Sequence, residues 1–383
     1  MFYRSFAQTL TTLLLAVMLL IAVLASVNGQ EQTTTPQNTG RPRRADSSSE
    51  RSAPTPQSSI NKEESNGQDE DIVSIETDLA NLLFTAVDKN KRFVTTLRQE
   101  DMRVVEDGVP QQVFTFQRET DRSLSLAILI DTSASQERTL PVEKAAARAF
   151  VDTIIQSKKD EVAVISFTGE ATIEQELTSN LARIRSAIDQ VEIVLPSGYV
   201  GGGITIPGGT PPISGTRMSR IGTTAIWDAV WATAGEILTQ TSDKTRRAII
   251  LLTDGVDTSS RLERNDAIDR AIKADTVIYT IGIGDSYNYD GVEKDTLRKL
   301  SERTGGRAYF PEDKADLNAA FEQIQQELRS QYLIAYQPTN KKRDGSYRKV
   351  MIEVINPDLR KQKLRLTYRQ GYFAKSATVQ RSQ

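Results

Sequence analysis

Leu124-Ser-Leu-Ala-Ile-Leu-Ile-Asp131-Thr-Ser133-Ala-Ser135 is the stretch on which the reading of this chain turns. Residues 124–130 form a short apolar run, the pattern of a strand buried on both faces of a parallel sheet. The run ends in Asp131, and two hydroxyls follow at two-residue spacing, Ser133 and Ser135. One carboxylate and two neutral hydroxyls leaving the end of a buried strand together suit a hard divalent cation such as Mg²⁺. The same residues also suit an Asx or Ser turn that caps the strand end. Taken alone, the stretch leaves both readings open.

Two later stretches bear on the choice. Arg247-Ala-Ile-Ile-Leu-Leu-Thr-Asp254-Gly255 reads as a second buried strand that delivers a carboxylate at its carboxyl end. Between the two, Gly222-Thr-Thr224-Ala-Ile-Trp-Asp228-Ala reads as a loop opening a helix, with a hydroxyl at the opening. In their order and placement these residues resemble the von Willebrand factor A-type (VWA) domain and its metal-ion-dependent adhesion site, over residues 122–330. The resemblance implies a doubly wound, mostly parallel α/β sheet. Carried over residue by residue, it implies a metal held by Asp131, Ser133, Ser135, Thr224 and Asp254, and every residue type matches. Thr223 competes for the loop hydroxyl, but the family places its threonine directly before Ala-aliphatic-aromatic-Asp, which here is 225–228. Mg²⁺ is the expected metal, with Mn²⁺ or Ca²⁺ as alternatives. In the family, an acidic side chain of a protein partner completes the metal shell, and that is the partner expected here.

Composition narrows the chemistry. The 383 residues carry a net charge of −2 and no histidine or cysteine. Balanced charge gives no basic face for nucleic acid. Without His and Cys there is no imidazole base, no thiol nucleophile, no Cys/His zinc site and no disulfide framework. Arg4 followed by the apolar run 13–25 and small residues reads as a signal peptide over 1–29. The run is short for a spanning helix, which needs about 20 residues. The expected location is therefore outside the cytoplasm: periplasmic, cell-surface or secreted, with a membrane contact only if the segment stays uncleaved. Residues 30–70 are Gln, Thr, Ser, Pro and Glu with almost nothing apolar, and are expected to be a disordered linker.

The flanks are β-rich. Residues 71–120 hold short strand patterns around Asp107-Gly108, a hairpin signal. In 331–373, apolar residues alternate at 332, 334 and 336, at 350, 352 and 354, and at 364, 366 and 368. Such alternation predicts one buried face per strand. Neither flank is large enough for a good core alone. Together they are expected to form a small antiparallel β module with the 122–330 domain inserted, followed by a disordered tail at 374–383. Bacterial VWA-related proteins resemble this arrangement too.

Inside the central domain, helices are expected at 139–157, 181–191, 223–239, 262–274, 293–304 and 314–330. Strands are expected at 161–167, 247–253, 277–283 and 307–310, with an antiparallel edge strand at 171–177. In alternating α/β sheets, ligands sit beyond the carboxyl ends of the strands. In the first helix the expected apolar stripe runs through Val142, Ala146, Phe150 and Ile154. Trp227 and Trp231 are read as core, and Asp228 either as a loop holder or as a solvated first-turn acid. Catalysis is disfavoured: hydrolysis beside a metal needs a proton acceptor, and the motif loops offer no His or Glu. Ser133 lacks a Gly-x-Ser-x-Gly elbow, and the glycines at 201–203 lack a phosphate-binding lysine. A metal-dependent binding protein is the expected class. The alternatives are an envelope scaffold whose metal only stabilises the fold and, behind it, a hydrolase. The stretch 195–220, with six glycines before Gly215 and four prolines, is expected to be a long loop at the metal-bearing edge. There Tyr199, Ile204 and Ile206 would serve as apolar partner contacts.

Overall fold

The computed structural model describes residues 79–119, 122–155, 159–194, 223–242, 244–284 and 291–376. These residues belong to one compact unit. The expected signal peptide, the linker, the loop 195–220 with Tyr199, Ile204 and Ile206, and Gly222 lie outside them.

The first flank supplies β1 (Ala80–Val87), β2 (Met102–Glu106), β3 (Val109–Gln111) and β4 (Val113–Arg118). β2 and β3 are joined by the Asp107-Gly108 turn, in which both residues have positive φ, 47° and 85°. That backbone matches the right-handed twist of paired strands, so the dipeptide fixes the hairpin.

The central part then alternates strand and helix. It runs β5 (Leu124–Asp131), α1 (Leu140–Ile154), β6 (Glu161–Phe167), β7 (Ala171–Thr178), α2 (Leu181–Gln190) and α3 (Ile226–Ala232). It continues with β8 (Arg246–Thr253), α4 (Arg264–Lys273), β9 (Thr276–Gly282), α5 (Lys294–Thr304), β10 (Ala308–Tyr309) and α6 (Lys314–Arg329). The six strands form one sheet in the order β10-β9-β8-β5-β6-β7, parallel except for β7 at one edge. β5 and β8 are buried at every position, as strands in the middle of a covered sheet should be, Arg246 and Arg247 at the head of β8 included. Side chains alternate between faces, so Leu126, Ile128 and Ile130 pack under α1, α2 and α6. Ala127, Leu129, Ile249 and Leu251 pack under α3, α4 and α5. Trp227 is core as expected, and Trp231 lies half-buried with the Arg270 guanidinium 4.7 Å from its ring centre.

Two helices depart from expectation. The helix expected over 223–239 is α-helical only over Ile226–Ala232, then loosens into a π turn (Thr233–Ile237) and a short 3₁₀ turn (Leu238–Gln240). The Arg270 guanidinium takes up the Gly235 carbonyl there, at 3.0 Å, and a side chain set into a helix ladder is a usual cause of such a bulge. In α1 the buried stripe is Leu140, Glu143, Ala146, Ala147, Phe150, Val151 and Ile154, whereas Val142 is exposed. The stripe expected through Val142 is thus one residue out at its amino end, and a glutamate occupies the place.

The second flank adds β11 (Tyr332–Tyr336), β12 (Tyr347–Val354), α7 (Pro357–Lys361), β13 (Arg365–Tyr368) and β14 (Gly371–Phe373). It pairs with the first flank in two antiparallel sheets, β13-β1-β11-β4 and β14-β12-β2-β3. Their shared core holds Leu82, Phe84, Val104, Tyr332, Ile334, Tyr336, Val350 and Ile352, with Phe84 stacked on Tyr332 at 5.1 Å. The α/β part is therefore inserted in a β module built from both flanks. β11 differs from the expected one-sided strand, because all five of its residues are buried. Its outward face is covered by the α/β part: Asn81, Leu83 and Leu333 line a cavity with Thr245, Arg246, Thr276 and Val277. The module thus abuts the amino ends of β8 and β9. Ala374, placed by sequence in the tail, is buried and donates its N–H to the Ser346 carbonyl at 2.9 Å.

Candidate metal centre

The parallel register decides where the acidic residues arrive. Ile130 pairs with Leu252, and Asp131 with Phe167, so β5, β6 and β8 end level with one another. Asp131 has no exposed surface, and Asp254 is buried just past the end of β8. Both carboxylates leave at the carboxyl edge of the sheet, at the opposite end from the β module.

Local chemistry orients each group. Asp131 Oδ1 accepts the Ser133 N–H at 2.9 Å, an Asx turn that brings the chain round so that Ser133 and Ser135 face each other, Oγ to Oγ 3.0 Å. Asp131 Oδ2 accepts the Thr253 hydroxyl at 2.6 Å, which ties β5 to β8 at the site. Asp254 Oδ1 accepts the Val256 N–H at 3.0 Å. Gly255 follows with φ 89°, and a Cβ there would press on Leu297 and Glu293 at 3.0 and 3.1 Å, so glycine alone suits the turn.

Thr224 is fixed from two sides. Its N–H donates to the Thr258 hydroxyl at 2.8 Å, and its carbonyl accepts from Thr258 and Ser259. On the other side Thr168, just past β6, receives the Ala225 N–H on its carbonyl and donates its hydroxyl to the Thr223 carbonyl. Thr223 thus commits its carbonyl to the scaffold. The exposed amides of the first turn of α3 are satisfied from another loop. Asp257 Oδ2 accepts from Ile226 N at 2.7 Å, and Ser260 Oγ accepts from Trp227 N and Asp228 N at 3.0 and 3.2 Å. Asp228 answers by accepting the Arg261 and Leu262 N–H groups, which selects the loop-holding reading of that residue.

The electrostatics are those of an uncompensated pair. Burial, with the Asp254 carboxylate adding to it, pushes the Asp131 carboxyl up to about 7, although hydrogen bonds from Thr253 and Ser133 pull the other way. Among the described residues no Lys or Arg pairs with either carboxylate, and no group of three or more Asp, Glu, His or Cys is set to hold a metal. The donor set is therefore two carboxylates and hydroxyls, all oxygen, with roughly the charge that balances one hard divalent cation. Those residue types fit such an ion, and the raised Asp131 reflects burial first and the Asp254 charge second, with no positive charge to offset either.

Glu143 is the residue that sequence reasoning missed. It lies fully buried on the first turn of α1, and neither of its carboxylate oxygens has a hydrogen-bond partner among the described residues. Burial pushes its carboxyl up to about 8; Thr139 holds it partly back, and the Asp131 and Asp254 carboxylates add to the rise. The Thr139 proton itself is directed at Gln136, whose Oε1 lies 2.8 Å away. The available signal was spacing: Glu143 precedes Ala146, Ala147 and Phe150 by three, four and seven residues, so it sits on their stripe. Asp257 and Ser260 were missed as well, since caps supplied from another loop leave no local pattern.

Two models of the von Willebrand factor type A domain match residues 126–209 and 213–326, together just over half of the chain. The chain belongs to the von Willebrand factor type A domain proteins. Similar solved structures include an aerotolerance-related membrane protein from Bacteroides fragilis, 18% identical, TM-score 0.39, covering 54% of this chain and 98% of that one. A von Willebrand factor type A protein from Catenulispora acidiphila is 17% identical, TM-score 0.42, covering 79% and 74%. Proximal thread matrix protein 1 from the mussel byssus, described with a zinc-occupied MIDAS motif, is 20% identical, TM-score 0.43, covering 58% and 50%. No curated protein sequence matches the chain significantly.

Proposed function

We propose that this chain is an exported binding protein that captures a protein partner through a divalent cation held by Asp131, Ser133, Ser135, Thr224 and Asp254. The observation that carries the reading is the uncompensated pair of buried carboxylates, Asp131 and Asp254, set beside the facing Ser133 and Ser135 hydroxyls. Bound there, a cation supplies an electron-poor position that attracts an outside carboxylate, because three of its five protein donors are neutral. The chain's own residues do the rest. Thr253 and the Ser133 amide fix Asp131, the Val256 amide fixes Asp254, and the 257–260 loop fixes the backbone around Thr224. Mg²⁺ is the ion the all-oxygen donors favour, with Mn²⁺ or Ca²⁺ as substitutes.

A binding role is favoured over catalysis because the motif loops themselves carry no His or Glu to act as a base. Glu143, whose charge acts on Asp131 and Asp254, has no exposed surface with which to meet a substrate. Export rests on the sequence of residues 1–29. Among the described residues no helix is long and apolar enough to cross a membrane. We propose the β module (71–120 with 331–373) and the inserted 122–330 domain as the working units. The loop 195–220 is proposed as one wall of the partner surface, since it leads into Thr224.

The test is capture of partners by the immobilised chain, from an extracytoplasmic or surface fraction, with Mg²⁺ and with chelator. The reading predicts that captured protein elutes with chelator and is absent on Asp254→Ala. Equal capture under all conditions, or capture retained by Asp254→Ala, contradicts it.

A further inference from the structure

Glu143 has no role in the five-residue site, yet it is a fully buried carboxyl with neither oxygen hydrogen-bonded. Taking a carboxyl out of water without a hydrogen bond is unfavourable, and buried polar groups in native proteins nearly always have partners. Here both oxygens lack one, and the residue is fully buried. Its electrostatic neighbours are Asp131 and Asp254, which repel it. Thr139, the one polar neighbour acting to favour its charge among the described residues, directs its hydroxyl to Gln136. Without a positive charge, nothing here rewards a glutamate; an alanine like Ala146 or Ala147, the next residues on the same stripe, would do better.

A divalent cation between Asp131 and Asp254 reverses the sign of the local field. Mg²⁺ sheds water reluctantly and keeps several molecules in its shell, whose protons need acceptors. Carboxylates behind the direct ligands commonly supply them. We propose that Glu143 is an outer carboxylate of the metal centre, accepting hydrogen bonds from water retained on the buried side of the ion. The inference rests on the metal-site reading above. It adds a sixth residue that binds no partner and touches no exposed ligand. Its work is to hold the ion in place from the protein side, leaving the solvent side open.

The experiment is Mn²⁺ and Mg²⁺ titration calorimetry on the whole chain, paired with thermal melts in chelator, for wild type, Glu143→Gln and Asp254→Ala. Glu143→Gln keeps the shape and removes the charge. The expected result is a dissociation constant raised by about 10- to 100-fold, the usual cost of losing an outer carboxylate, with a chelator melt no lower than wild type. A purely structural role moves the other way: a lower chelator melt and unchanged affinity, which overturns the inference. If Glu143→Gln does not fold, Glu143→Met fills the same space in an apolar form. It is expected to melt at or above wild type in chelator and to bind metal weakly, and wild-type affinity in it overturns the inference equally. Asp254→Ala separates the two failures. Metal heat in wild type that Asp254→Ala loses and Glu143→Gln keeps removes the role of Glu143 alone. No metal heat in wild type removes the site reading and this inference together.

Discussion

At the scale of single residues, Asp131 and Glu143 give the protein a pH response, to which Glu327, also raised by burial, adds in the same direction. Both carboxyls sit above their ordinary values, Asp131 at about 7 and Glu143 at about 8, because burial disfavours their charged forms. The native state therefore binds more protons than the unfolded chain between about pH 4 and pH 8. Stability in chelator accordingly falls as pH rises through that window and levels off above it. A bound cation needs the same carboxylates ionised, so protons compete with it and its stabilisation grows with pH. Thermal melts at pH 5 and pH 8 should show a Mg²⁺-induced rise that is several-fold larger at pH 8. An equal rise at both would mean that Mg²⁺ acts elsewhere. Asp131 and Asp254 were legible in the sequence because each terminates a run of apolar residues. Glu143 was not, because a glutamate on a helix reads as solvated until the stripe it belongs to is placed to within one residue.

At the scale of elements, α3 shows how the site loop is held. Its first amides have no capping side chain of their own, and Asp257 and Ser260 supply one from the loop after β8. Loss of a cap typically costs about 0.5–2 kcal/mol. Asp257→Ala should lower stability by about that much. It should also weaken Mg²⁺ binding, because the same loop fixes the Thr224 backbone. Ser260→Ala should do less, since Asp257 still receives Ile226 N. Chemical denaturation with and without Mg²⁺ measures both effects, and an Asp257→Ala that loses neither stability nor metal shows that the loop does not position the site. Helices and strands of the α/β part were legible from their apolar periods. The π turn after Ala232 was not, because it answers to Arg270, which lies 35 positions beyond the carbonyl it takes.

At the scale of the whole molecule, the two flanks and the insertion between them were readable from strand alternation and from the small size of each flank. The position of the module was not. It depends on β11 being covered on both faces, on one side by Phe84 and Ile352 and on the other by the amino ends of β8 and β9. Alternation records only the stronger of those two environments. The result places the module and the edge that carries Asp131 and Asp254 at opposite ends of the parallel strands. The central claim, that Asp131, Ser133, Ser135, Thr224 and Asp254 hold one divalent cation, is tested most directly by anomalous diffraction from crystals of the whole chain soaked in Mn²⁺. The account predicts one strong peak within about 2.0–2.6 Å of the Ser133 and Ser135 hydroxyls, with the Asp131, Thr224 and Asp254 oxygens around it and water on the Glu143 side. No peak there, with the Ser133–Ser135 hydrogen bond intact at full Mn²⁺ soaking, would contradict it.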